Sequence, residues 1–237
     1  MTNLVEINHL AYKMGQKKIF TDLNLTLEKG KIIALLGENG AGKTTLIKIL
    51  AALNKRMQGE ILINGERLSL ITKSQVSYLD ELKDFTNSEK LSRIITFYER
   101  MYPDFDCNRA QELMDFMALD NKLRLKSLST GNRQKFNLVI ALSRRAKLYL
   151  LDEPLSGVDI LAREKIISAL IKWFDEDSSI LISTHHICEM EAVVDDVVIL
   201  KDRVIIEHQS ADDIRSLHGK NLEGYYRDIY TNGGQKR

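Results

Sequence analysis

The sequence predicts an α/β fold: a buried parallel sheet, an antiparallel β portion towards the N-terminus, and a block of helices inserted between strands of the core. Three observations carry this. Short apolar runs at 32–36, 148–151 and 179–183 alternate with longer helical patterns. Runs of that kind suit strands covered by helices on both faces. The runs at 4–7, 23–27 and 61–65 instead alternate with period two, as expected for an antiparallel sheet with one wetter face. From Ser88 to Lys126 the spacing is helical throughout.

Taken in order, the first buried run ends at Gly37, and a helix is expected over 43–53 with Leu46, Ile49 and Leu50 on one face. In the inserted block Leu91, Ile94, Ile95 and Tyr98 follow the i, i+3, i+4, i+7 rule. Ser88 is its candidate N-cap and Pro103 its stop. Ala110, Leu113, Met114 and Met117 repeat the spacing. Residues 163–174 are helical, and 197–200 with 204–207, split by Lys201, Asp202 and Arg203, read as a hairpin. Tyr225, Tyr226 and Tyr230 read as packing residues of a C-terminal helix. The whole chain is expected to be one domain, with 1–80 and 128–215 as core, 81–127 as helical subdomain and 216–237 as C-terminal tail or helix.

Composition narrows the function classes. A chain of 237 residues with 44% hydrophobic content can bury a sizeable core. Lys+Arg 34 against Asp+Glu 33 leaves a net charge of +1, which gives no basic footprint for nucleic acid and no acidic tail. Cys107 and Cys188 have no CxxC partner, so neither a disulfide framework nor a zinc site is expected, and both read as buried or half-buried thiols. No run approaches the ~18 apolar residues of a membrane span, and the N-terminus has neither signal nor transit character. A soluble, intracellular protein is expected.

The strongest chemical signal is Gly37-Glu38-Asn39-Gly40-Ala41-Gly42-Lys43-Thr44-Thr45, a G-x-x-x-x-G-K-[ST] pattern between a strand and a helix. Glycines let backbone N–H groups turn inward around a phosphate, and the helix N-terminus adds partial positive charge. Lys43 reaches the β- and γ-phosphates, and the Thr44 hydroxyl can ligate Mg²⁺. This pattern predicts a P-loop NTPase core. The second signal is an apolar strand that delivers Asp152 and Glu153 at its C-terminal end, where open α/β sheets bind ligands. Asp152 would hold Mg²⁺, and Glu153 would polarise the attacking water.

A third motif, Leu128-Ser129-Thr130-Gly131-Asn132-Arg133-Gln134, lies one helix before that strand. With the P-loop, Asp152-Glu153, Ser156-Gly157-Val158-Asp159 and Ser183-Thr184-His185, the chain closely resembles the nucleotide-binding subunit of ABC (ATP-binding cassette) transporters over almost its whole length. The family's usual Leu-Ser-Gly-Gly-Gln signature has Thr130 and Asn132 in place of its first Gly and its Gln. The resemblance implies that His185 contacts the γ-phosphate, that Asp159 belongs to a loop crossing a dimer interface, and that Ser129 and Gly131 serve nucleotide bound by the opposite subunit. His186 has no family role. The family's adenine-stacking aromatic is replaced by Met14, before Gly15, and either Met14 or Tyr12 would pack on the base. Glu81 stands where the family has a glutamine facing the metal, and would make nucleotide binding dependent on Mg²⁺.

The resemblance further implies a separately encoded membrane permease as partner, a second ATPase subunit in a homo- or heterodimer, and a place on the inner face of the cell membrane. The Tyr102-Pro103-Asp104-Phe105-Asp106 segment is similar to one in small ATPase subunits of ABC-2-type exporters of drugs or antimicrobial peptides. The rival readings are an ABC protein acting on nucleic acid or ribosomes, and an ATP-binding switch without transport. The basic residues around the signature, Arg133, Lys135, Arg144 and Arg145 among them, read as solvated helix faces.

Overall fold

The apolar run Ile32–Leu36 (β3) is buried at every position because it lies in the middle of a sheet covered on both sides. Its side chains divide by parity. Ile32, Ala34 and Leu36 enter one core cluster, and Ile33 and Leu35 the other. The protein is described by a computed structural model covering residues 2–54, 56–78, 82 and 85–232.

Two sheets organise the chain. The first is antiparallel and contains β1 (Asn3–Met14), β2 (Lys17–Glu28), β4 (Met57–Ile63) and β5 (Glu66–Arg67) in the order β2-β1-β4-β5. The second contains β3, β6 (Val76–Tyr78), β7 (Leu148–Asp152), β8 (Ser179–Ser183), β9 (Asp196–Lys201) and β10 (Val204–Ser210) in the order β10-β9-β3-β8-β7-β6. Its pairings are parallel except for the β9–β10 hairpin at the edge. The helix α1 (Lys43–Leu50) is packed between the two sheets. On the other face, α5 (Thr130–Leu142) and α6 (Ile160–Trp173) bury Phe136, Val139, Ile166 and Leu170.

The inserted block keeps the expected helices with different bounds. The first helix of the block, α3, runs over Leu91–Met101 rather than from Ser88. No side chain caps it; instead Leu91 N and Ser92 N donate to Leu123 O and Asn121 O, both at 2.9 Å. A neighbouring stretch of chain thus satisfies the orphan donors that a capping side chain would otherwise take. Pro103 follows the end of α3 as expected. The next helix, α4, covers Cys107–Phe116, and Leu125–Ser127 forms only a 3₁₀ turn. The first core helix stops at Leu50 because Ala52 turns to φ +56°. Short elements have too few residues for a periodic signal, and three of them go unmarked in the sequence: α2 (Leu70–Ser74), β6 and α7 (Ile187–Met190). The C-terminal region forms α8 (Ala211–His218) and α9 (Leu222–Asn232).

Two readings need correction. Cys188 is exposed, and only Cys107 is half-buried. Arg144 is not on a solvated face: it is 5% exposed. Its Nε and NH2 donate to Asp104 at 3.1–3.2 Å, NH1 donates to Val76 O at 2.7 Å and NH2 to Ser74 O at 2.6 Å. Its guanidinium lies 4.1 Å from the centre of the Tyr102 ring. Arg145 NH2 bonds Asp106 beside it at 2.7 Å. The Tyr102–Asp106 segment is therefore a clamp that ties the helical block to the end of α5 and the start of β6. Arg144→Ala would strand the Asp104 carboxylate and two carbonyls. Because Asp104 is partly exposed, the expected loss is about 1–3 kcal/mol, the scale for leaving hydrogen-bonding groups without their partner, measured by urea denaturation with an unchanged m-value.

Candidate nucleotide-binding site

The parallel register brings three strand ends together. Leu35 of β3 lies opposite Ser183 of β8, and Ser183 lies opposite Asp152 of β7. The loops leaving these three strands therefore emerge on the same edge of the sheet.

After β3 comes the glycine-rich loop. Gly37 has to be glycine for space: a Cβ there would sit 2.5 Å from the carbonyl oxygen of Leu200 in β9. Gly42 has φ +115°, and a Cβ would press on the Phe20 ring at 3.0 Å. Gly42 is also the N-cap of α1 and supplies no side-chain cap, so the first N–H groups of the helix remain available to an anion. Lys43 is 7% exposed and folds back over the loop, donating to Gly37 O at 2.7 Å and Glu38 O at 3.3 Å. Its Nζ is 4.0 Å from Glu153 Oε1. Thr44 faces solvent next to it.

After β7 come the two acids. Ser183 Oγ donates to Asp152 Oδ1 at 2.5 Å and accepts from Glu153 N at 3.0 Å. One buried hydroxyl thus fixes both acids. Glu153 adopts φ +49°, a left-handed conformation that turns its side chain at the strand end. Its Oε2 lies 2.7 Å from His185 Nδ1, just beyond β8. Lys43, Asp152, Glu153 and His185 therefore form one connected group. Ser183 is a positioning residue, although the sequence marks it only as a neighbour of His185. The His186 ring packs against His185 at 3.9 Å, and its Nδ1 approaches Glu189 at 3.4 Å. Burial, with His185 and Arg163 nearby, holds its pKa below the ordinary value.

The signature residues sit at the start of α5. Ser129 is exposed and caps α5, accepting from Asn132 N at 3.2 Å. Gly131 packs against the loop before α6: a Cβ would be 3.3 Å from Val158 Cγ1 and 3.4 Å from Asp159 Oδ2. Asp159 caps α6 through Ala162 N at 3.0 Å. Among the described residues no hydrogen bond or ion pair joins Ser129, Gly131 or Asp159 to the 37–45 loop. Thr130, Gln134 and Asn137 of α5 share a cavity of about 400 Å³ with Asp152 and Glu153.

The two base-packing candidates part company. Tyr12 lies opposite Phe20 and Met57 and packs on the smaller core cluster, whereas Met14 is 60% exposed at the end of β1. The register is irregular between Tyr12 and Lys13, so period-two alternation does not carry from one to the other. Glu81 lies outside the described residues.

A phosphate loop, a lysine folded over it and two acids at the adjacent strand end, on a parallel sheet, define an α/β P-loop nucleotide-binding protein. The ABC transporter family model matches residues 20–156, more than half of the chain, and the chain belongs to that family as an ATP-binding transporter subunit with ATPase activity. The ABC transporter ATP-binding protein YtrB of Bacillus subtilis is 28% identical over 95% of this chain and 78% of its own. An aliphatic sulfonates import ATP-binding protein of Bacillus thuringiensis is 27% identical over 90% and 83%, and a lantibiotic transport ATP-binding protein of Streptococcus pyogenes is 27% identical over 87% and 91%. A solved ATP-binding subunit of an ABC transporter superposes with a TM-score of 0.84 at 27% identity, over 96% of this chain and 99% of its own.

Ser183→Ala would release Asp152 and leave Glu153 N without its side-chain acceptor. ATP turnover is expected to fall about tenfold, the scale of a lost charge-assisted hydrogen bond, in a steady-state phosphate-release assay, with the strand itself retained.

Proposed function

We propose that this subunit hydrolyses ATP at the Lys43–Asp152–Glu153–His185 group to drive a separately encoded membrane permease. The observation that carries this reading is the Glu153 carboxylate held between Lys43 and His185. In the proposed reaction the γ-phosphate lies over the loop from Gly37 to Thr45. Lys43 leaves its carbonyl contacts to meet the β- and γ-oxygens. Glu153 takes a proton from the attacking water as the new P–O bond forms and the bond to the β-phosphate oxygen breaks, and ADP leaves with that oxygen. His185 holds Glu153 and meets the γ-phosphate. Catalysis is then mostly positioning and electrostatics. The Thr44 hydroxyl and Asp152 carboxylate are hard oxygen donors, which suits Mg²⁺ completed by phosphate and water. When bound, that ion neutralises phosphate charge.

The lack of contact, among the described residues, between Ser129, Gly131 or Asp159 and the phosphate loop supports a working dimer. Ser129, Gly131 and Asp159 would complete the nucleotide site of a second subunit, identical or not, by meeting ATP from the opposite side. Exposed Ile160 and Leu161, 73% and 74% accessible just past Asp159, are apolar surface that such a partner would cover. Glu153→Gln keeps size and removes the charge that polarises water. Turnover is expected to fall by roughly 10²–10⁴ while Mg-ATP-dependent dimers accumulate in light scattering. Undiminished hydrolysis would overturn the role of Glu153, and a dimer indifferent to nucleotide would overturn the split site.

Among the described residues no helix is long and apolar enough to cross a membrane, so a permease would supply the passage and hold the subunit at the inner membrane face. The surface proposed to receive it runs along α3 of the helical block and the adjoining α2 of the core. Phe97 and Met101 of α3 are 45% and 58% exposed, while Leu70 and Ile71 of α2 are 85% and 62% exposed. Arg144 bridges Ser74, at the end of α2, and Asp104, just past α3, so these two stretches border one another. Export of a drug or antimicrobial peptide is the proposed direction. The resemblance of the Tyr102–Asp106 segment to ABC-2-type exporter subunits and the lantibiotic transport relative support it, while the sulfonate import relative keeps import as the rival. Phe97→Asp with Ile71→Asp is expected to abolish coupling in a reconstituted vesicle transport assay while detergent-free ATPase activity persists. Intact transport would exclude this surface.

A further inference from the structure

We propose that α9 is a strap that positions the phosphate loop and the segment following His185 relative to each other, with Tyr230 and Glu191 as its positioning residues. The proposal rests on reading residues 37–45 as the ATP site. It stands on contacts at both ends of the helix.

At the first end, Leu222 N donates to both oxygens of Glu191, at 3.1 and 3.0 Å. Glu191 directly follows α7, the short helix that begins two residues after His185. Cys188 of α7 donates to the Glu223 carboxylate of α9. The N-terminus of α9 is thus tied to the histidine segment by its own unsatisfied backbone donor, an arrangement that also places a carboxylate at the positive end of the helix.

At the other end, the Tyr230 hydroxyl accepts a hydrogen bond from Glu38 N at 3.2 Å, inside the glycine-rich loop. The Tyr230 carbonyl accepts from Lys201 Nζ at 2.6 Å, and that ammonium lies 4.7 Å from the ring centre. Lys201 is the last residue of β9, next to the Leu200 carbonyl that Gly37 must clear. Glu38 is also held from inside the loop, where its carbonyl accepts from Ala41 N at 3.1 Å and Lys43 Nζ at 3.3 Å. Tyr230 therefore fixes the outer side of a residue whose inner side Lys43 holds. Burial raises the Tyr230 phenol above its ordinary pKa.

Between the two ends, Leu222 is fully buried and Tyr225 is 5% exposed in the larger core cluster. The strap is seated, and about 12 Å of rigid helix separates Leu222 from Tyr230. A loop held in place before ATP arrives does not have to be ordered on binding, so the contact favours affinity.

Calorimetric ATP titration of wild type, Tyr230→Phe, Glu191→Ala and the double variant tests this. Tyr230→Phe keeps the ring over Lys201 and removes the acceptor. It should weaken ATP binding about threefold to tenfold, the net value of one hydrogen bond, with KM rising more than kcat falls. Exchange of the Glu38 amide should accelerate. Glu191→Ala should weaken ATP binding and speed the same amide although it touches no loop residue. The two effects should combine to less than their product, whereas independent sites more than about 7–10 Å apart multiply. If Glu191→Ala is poorly folded by circular dichroism, Glu191→Gln replaces it. Unchanged affinity and Glu38 exchange in Tyr230→Phe, or multiplicative effects in the double variant, would overturn the strap. Wild-type protein that does not bind ATP would overturn the site reading beneath it.

Discussion

The site depends on one register. Because β8 runs parallel between β3 and β7, Leu35, Ser183 and Asp152 lie side by side across three strands. A slip of one residue in either pairing would send the inward side chains to the opposite face. It would also separate the glycine-rich loop from the acids. These strands are remote from one another in the chain, so their alignment depends on the folded sheet and not on local sequence. The hydroxyl of Ser183 secures it by joining Asp152 and Glu153 in one hydrogen-bonded unit.

Charge at this edge is arranged in compensating pairs. Lys43 is almost fully buried, and a buried ammonium is costly without partners. Two loop carbonyls and the nearby Glu153 carboxylate supply them. The same carboxylate receives His185. The group is thus held together by contacts that an incoming triphosphate would exchange for its own oxygens. The exposed N-cap hydroxyl of Ser129 caps the start of α5, where Gly131 gives the Val158–Asp159 loop room to approach. In the proposed dimer a second subunit would bring these groups to the nucleotide.

Two attachments tie together the parts around the site. The Arg144 clamp fastens the helical block to α5 and to β6. The α9 strap fastens the segment after His185 to the phosphate loop. Both use a polar side chain that reaches backbone groups of another element. Such contacts fix relative position more sharply than apolar packing, because hydrogen bonds are directional whereas hydrophobic contact is not.

The parallel core, the hairpin at its edge, the helical insertion and the glycine-lysine loop with its two acids were all legible in the chain before folding. Apolar runs, period and the glycine-lysine pattern are local signals, and the physics behind each is local too. The folded arrangement settled the matters that local signals cannot encode. Ser183 became a positioning residue only through its register with Asp152. Arg144, solvated if judged by its charge, is buried because Asp104, Ser74 and Val76 converge on it from distant parts of the chain. Tyr230, a packing residue by its composition, reaches Glu38 at the opposite end of the sequence. Tyr12 and Met14 are separated by an irregular register that period-two reasoning cannot see. In each case the deciding partner is remote in sequence, so its contribution exists only once the chain has folded.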